Sequence, residues 1–333
     1  MKKILLLLII IPTLSFAQTK TSVTNGDFYN PLTWDCFCLP ASGDNVVINH
    51  DLTMNTSIYY SAGTITINPS GSLVESGIDR DIWIDGSGRF INYGDVQVRY
   101  FLTSQWTYLE NNGNFNNIDS MLTQGVVNNS GTINVYDFLN DHVANFGNFG
   151  SINVQHNMNN QGNFDNYGSI DVGLDFSNCN TQSVHAEFTN NGTMCIANNF
   201  LNCNGDELNG SGHYYIGNLA SNLGEFSGTF TFHTPTGTMA INGTIGSNVT
   251  ITTGSCALDI SENENIDFQL YPNPTTETIF VSEKTGNYII TDIKGQIVKQ
   301  GDLNQNGINV SDLNNGVYFF QLNDREVTRF QKL

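Results

Sequence analysis

Positive charge is what this chain most lacks. Between Gln18 and Asn265 the basic residues are Lys20, Arg80, Arg89 and Arg99, and none falls between Tyr100 and Glu283. Against them stand 31 acidic residues in the whole chain, for a net charge of −19. Such a surface has nothing with which to neutralise phosphate or sulfate, which excludes nucleic acid, anionic lipid and polyanionic glycans as partners. Proline is absent from Pro69 to Pro235. That gap suits strands inside continuous ladders, to which proline cannot donate. Sustained helical periodicity is missing too, and short alternating runs such as Thr64–Ile67 and Val96–Val98 take its place.

What fills the middle of the chain is a nine-residue phrase, Phe-x-Asn-x-Gly-x-Ile-x-Val. It is clearest at Phe90–Val98 and Phe164–Val172, with looser copies at 109–117, 127–135, 146–154 and 188–196. Its glycines, Gly94, Gly113, Gly131, Gly150, Gly168 and Gly192, are separated by 19, 18, 19, 18 and 24 residues. Asn-Gly hairpins of a β-sandwich would not hold such a register, whereas the coils of a solenoid do. In an extended segment the five fixed residues fall on alternate positions and share a face. Stacking then piles Phe on Phe and Ile on Ile, and Asn at a corner can join the Asn above and below in an amide ladder. Gly permits the left-handed or tight backbone of the turn. The pattern predicts a right-handed parallel β-helix over residues 46–257, roughly ten or eleven coils spaced about 4.8 Å apart.

Residues 1–17 read as a secretory signal peptide. Lys2 and Lys3 precede the apolar run Ile4–Ile11, and Ser15-Phe16-Ala17 sets a cut between Ala17 and Gln18. The run is too short for a transmembrane helix, so the mature chain is expected to have no membrane span and to work where disulfides persist. Residues 18–45, with Trp34 and Pro40, are expected to cap the open edge of the first coil. Their Thr33-Trp34 and Pro40…Gly43-Asp44-Asn45-Val46-Val47-Ile48 resemble the opening segment of exported bacterial β-helix proteins. Residues 258–267 are polar and acidic and read as a linker.

From residue 268 to 333 the character changes. Several short strands with turn signals between them predict a small Ig-like β-sandwich, with Gly295 at a turn position needing positive φ. Tyr271-Pro272-Asn273-Pro274, Asp292-Ile293-Lys294-Gly295-Gln296, the run Ile308–Phe319 with Leu313, Gly316 and Tyr318, and the final Phe330-Gln331-Lys332-Leu333 follow in order. Together they resemble the C-terminal (type A) sorting domain of type IX secretion cargo. Asn314-Asn315 precede Gly316 where that family often has Pro or Ala. The resemblance implies export across two membranes, recognition of the tail by the type IX translocon, and its removal by a sortase-like peptidase, here within 256–268. The destination would be extracellular or the outer cell surface.

Candidate chemistry is sparse. Cys179 and Cys203 each lie 11 residues after a phrase glycine, Gly168 and Gly192. They share a phase of adjacent coils, close enough for a disulfide. Cys36-x-Cys38 lacks the further ligands that zinc needs, and the pairing of Cys36, Cys38, Cys195 and Cys256 stays open. The six histidines form no His-x-x-x-His, so neither a metal nor any other cofactor is expected. Parallel β-helices host polysaccharide lyases and hydrolases, and the place for such chemistry is Asp79, Arg80 and Asp81 with Asp85, Arg89, Asp95 and Arg99. Solvated loop charges that pair with each other explain the same residues more simply. The sequence thus reads as an exported all-β structural or adhesin-like protein that binds neutral glycans or surface proteins. A glycan-active enzyme is the alternative.

Overall fold

The computed structural model describes residues 18–76, 80–180, 185–255, 270–281, 286–292, 296–303, 307–322 and 326–333. They divide into two compact units between Cys256 and Ala257. The signal segment with Ala17, the linker, Asp79, Cys256 and Gly295 lie outside the described residues.

The first unit is a β-solenoid whose strands pair in parallel and turn around three walls. The first wall is a twelve-stranded sheet running from Thr19–Thr21 to Thr244–Ile245, which makes eleven steps from rung to rung. The second wall runs from Gly26–Asp27 to Thr250–Thr253, and the third from Ile58–Tyr60 to Ala240–Ile241. In three coils one strand, such as Asp95–Thr103, continues across the corner between the second and third walls. The only helical element among the described residues is a single 3₁₀ turn, Pro31–Thr33.

The phrase lies inside the coil but does not stay on one flat face. Phe90 and Asn92 belong to the first wall, and Val96 and Val98 to the second. The chain turns at Asn-x-Gly, so alternation on either side of the corner keeps pointing inward. Phe90, Leu109, Val127, Phe146, Phe164 and Phe188 form one buried column in register. Packed rings such as Phe146 and Phe164, with centroids 4.6 Å apart, continue down that column.

The phrase glycines do not adopt left-handed backbone; among the described residues of this unit, those that do are Gly43, Gly63, Gly86, Gly205, Gly210 and Gly237. Close approach selects the phrase glycines instead. A Cβ on Gly131 would stand 2.1 Å from the Gly113 carbonyl oxygen, and one on Gly168 would stand 2.0 Å from that of Gly150. Each coil's glycine rests on the backbone of the one before it, which leaves no room for a side chain.

The asparagines are fully buried and bonded from coil to coil. Asn92 Nδ2 donates to Asn111 Oδ1 at 2.8 Å, and the chain of amides continues through Asn129, Asn148 and Asn166 to Asn190. A second ladder stands at the far end of the third wall. There Thr123 donates to Asn140, and the amides run on through Asn160, Asn178 and Asn202 to Asn222 at 2.7–2.9 Å. Both corners are thus closed by amides whose burial is offset by full pairing.

At the start of the chain, Thr19–Thr21 pairs with the first-wall strand Asn45–Ile48, and Gly26–Asp27 with Asp51–Met54. The segment therefore extends two ladders by a rung before Phe28 and Trp34 bury themselves edge to face at 5.3 Å. Lys20 points inward on this first rung, 2.6 Å from Asp44 and donating to the Leu39 carbonyl at 2.8 Å. Burial pushes the Asp44 carboxyl up, but the bond and charge of Lys20 together with backbone hydrogen bonds from Ala41 and Gln18 outweigh it and hold the group below its ordinary range.

The second unit is antiparallel throughout its strand pairs. Leu270–Tyr271, Thr278–Val281 and Ile308–Asn309 make a three-stranded sheet. A four-stranded sheet follows the order Ile297–Asp302, Asn287–Thr291, Gly316–Leu322, Glu326–Lys332. Ile279, Ile290, Val310, Phe320 and Phe330 form its core. Two small sheets about one core meet the needs of a small sandwich; an Ig-like strand arrangement stays an expectation.

Candidate functional site

In the second unit the folding chain brings its opening motif onto its last strand. The Tyr271-Pro272 and Asn273-Pro274 bonds are both cis. Asn273 then offers its side-chain amide as a strand would offer backbone: Nδ2 donates to the Arg329 carbonyl at 3.1 Å and Oδ1 accepts from Gln331 N at 3.0 Å. Thr275 continues the contact, its N–H donating to the Gln331 carbonyl and its carbonyl accepting from Leu333 N, each at 2.9 Å. A cavity of about 260 Å³ at this junction is lined by Asn273, Pro274, Val317, Arg329, Phe330 and Gln331. Lys332 is buried, with its ammonium 2.6 Å from the Leu333 carbonyl oxygen. Gly316 opens the strand that carries buried Tyr318, whose hydroxyl donates to the Asn314 carbonyl at 2.8 Å. Leu313 packs half-buried against the core. The residues with sorting-motif spacing thus frame one junction and the core beside it.

The charged candidates of the solenoid part into groups. Arg80, Asp81 and Arg99 do meet, at the corner of the second and third walls. Arg99 N–H donates to the Arg80 carbonyl at 3.1 Å, and Asp81 stands in register with Tyr100. The Arg99 guanidinium lies 4.6 Å over the Tyr100 ring and 3.5 Å from Asp119. Arg89, by contrast, lies over Tyr108 on the first wall. Asp95 accepts from Asn114 on the second wall, and Asp85 accepts from the Ser104 hydroxyl. Neighbours in sequence are separated because one coil travels around all three walls. Among the described residues, Asp81, Asp85 and Asp95 therefore do not share one cleft.

The outer columns are more regular. On the second wall Asn153 donates to Asn134 and Asn134 to Asn116, at 2.7 and 2.8 Å. On the first wall Glu187, Glu207 and Glu225 stand in register on consecutive coils. Burial, then the charges of Glu207 and Asp165, raise the Glu187 carboxyl above its ordinary value. On the third wall Tyr59, Trp83, Leu102, Leu122 and Leu139 follow one another rung by rung and point outward. Tyr59 is 60% exposed and Trp83 43%, their rings edge to face at 5.0 Å. Sequence reading missed this stripe because its residues sit between buried ones and look like core. Its signal was the recurrence of an apolar residue at an outward phase in five coils.

Cys179 and Cys203 form a disulfide between adjacent coils, with Cα atoms 4.9 Å apart. Cys36 and Cys38 are bridged across exposed Phe37, and Cys195 is also disulfide-bonded. Gln18 accepts at its carbonyl from Asn45 N, beside the first rung.

Residues 269–333 match a family model described as a secretion system C-terminal sorting domain. No curated protein and no solved structure matches the chain. Among the described residues no helix is long and apolar enough to cross a membrane.

Proposed function

We propose, from the premise that the sorting tail makes this chain type IX secretion cargo bound for the cell exterior, that its solenoid is a structural, adhesin-like surface protein. The observation that carries this reading is the outward apolar column from Tyr59 to Leu139 on the third wall. Two exposed aromatic rings continued by half-buried leucines give an extended contact surface, and the surrounding amides and hydroxyls supply hydrogen bonds for neutral glycans or a surface protein. The translocon reads the tail through the junction of Asn273, Pro274, Tyr318 and Lys332 with its neighbours. A sortase-like peptidase then cuts within 256–268, leaving the solenoid anchored or released. Dispersal of Asp81, Asp85 and Asp95 favours binding over glycan cleavage.

The test is to incubate the exported protein with neutral and acidic polysaccharides and with cell surfaces, scoring both retention and release of soluble fragments. Retention without release, weakened in Trp83→Ala, supports the proposal. Fragments that disappear in Asp81→Ala would overturn it in favour of a lyase or hydrolase. An intact mass that still contains Lys332 would refute the processing step alone.

A further inference from the structure

His213 and His233 are 20 residues apart in sequence and stand on neighbouring coils of the second wall. His213 Nδ1 and His233 Nε2 face each other at 3.3 Å. Tyr215 stacks on the His233 ring at 4.3 Å, nearly parallel, and holds its orientation. The other side of His233 faces the backbone: Nδ1 lies beside Gly254, and the Thr253 carbonyl attracts the ring's N–H. With a proton drawn to Nδ1, the Nε2 lone pair is left facing His213. A backbone carbonyl on the far nitrogen is the usual support of a metal-bound imidazole, since it fixes tautomer and ring direction together.

The separation is also the right one. Two nitrogens 3.3 Å apart, each at about 2.0–2.1 Å from a shared ion, subtend roughly 107° at that ion, close to the tetrahedral angle. We propose that His213 and His233 form a two-histidine site for a divalent transition-metal ion of the zinc class, with water completing the coordination. Neutral imidazole is the ligating form. The stretch from Tyr100 to Glu283 contains no lysine or arginine to compete for the site, and the net charge of −19 favours cations near the surface. Sequence reading looked for paired histidines four residues apart. A solenoid pairs residues one coil apart.

Titration calorimetry of the chelator-stripped exported protein with zinc chloride tests this. One equivalent should bind in the wild type and be lost in His213→Gln and in His233→Gln, with far-UV circular dichroism unchanged. His185→Gln should leave it in place. Copper(II) should bind more tightly than zinc, following the general order of divalent affinities. Cobalt(II) loaded in place of zinc should give the intense visible bands of a tetrahedral centre. Zinc uptake equal in all four proteins, or no uptake by the wild type, would overturn the proposal.

Discussion

Asn117 shows what a single buried side chain costs when its rung has no partner for it. It faces inward where the coils on either side place Val98 and Val135, and neither atom of its amide finds a hydrogen bond. An unpaired buried amide costs about 1–3 kcal/mol. Asn117→Val should therefore stabilise the fold by a comparable amount, read as a raised denaturation midpoint. Asn129→Val, which breaks bonds to both Asn111 and Asn148, should lower it. A fall in the Asn117→Val midpoint would show that the amide is satisfied in solution. Glu187 allows a second test at this scale. Its folded-state pKa is raised, so the folded protein binds the proton more tightly than the unfolded chain does, and ionised Glu187 destabilises at neutral pH. Glu187→Gln should therefore stabilise at pH 7, and the gain should vanish as pH falls below the ordinary glutamate range. An equal gain at both pH values would assign the effect to something other than charge.

The coil is the element at which sequence was most informative. Phe, Asn, Gly, Ile and Val recur at nearly constant spacing, and each occupies a position whose demands do not change from rung to rung. Asn92 to Asn190 were legible as a ladder for that reason. The second ladder, Asn140 to Asn222, was not read: its spacings of 20, 18, 24 and 20 vary, and its apolar companions change from Phe138 to Met158 to Ala220. The glycines were located correctly, but the reason for them was not, because carbonyl contact between coils leaves no mark on local sequence. That contact makes a sharp prediction. Gly131→Ala drives a Cβ to 2.1 Å from backbone oxygen and should cost at least ~3 kcal/mol, near the top of the range for overpacking, or prevent folding. At Gly147 the nearest atoms are the Asn128 side-chain oxygen and the Phe149 ring, both at 3.3 Å, and Gly147→Ala should be tolerated. Similar denaturation midpoints for the two variants would contradict the stacking argument.

At the scale of the whole molecule, the two units follow different rules. The tail was legible through ordered motifs at fixed positions, and its family match covers residues 269–333. Its sheet order was not legible, since short strands such as Ile308–Asn309 carry no register signal. The candidate site in the solenoid was legible least, because side chains meet there by coil spacing: Tyr59 meets Trp83, and His213 meets His233. Parallel stacking also has a mechanical consequence. The bonds between rungs, as from Asn129 to Asn148, all point along the stack. Tension along that direction reaches every junction in turn, so the weakest one yields first. The Cys179–Cys203 bridge removes one junction from that competition, because two coils joined covalently can leave the rest but not each other. Whatever pulls on the solenoid meets the strength of a single junction, however many coils are stacked behind it.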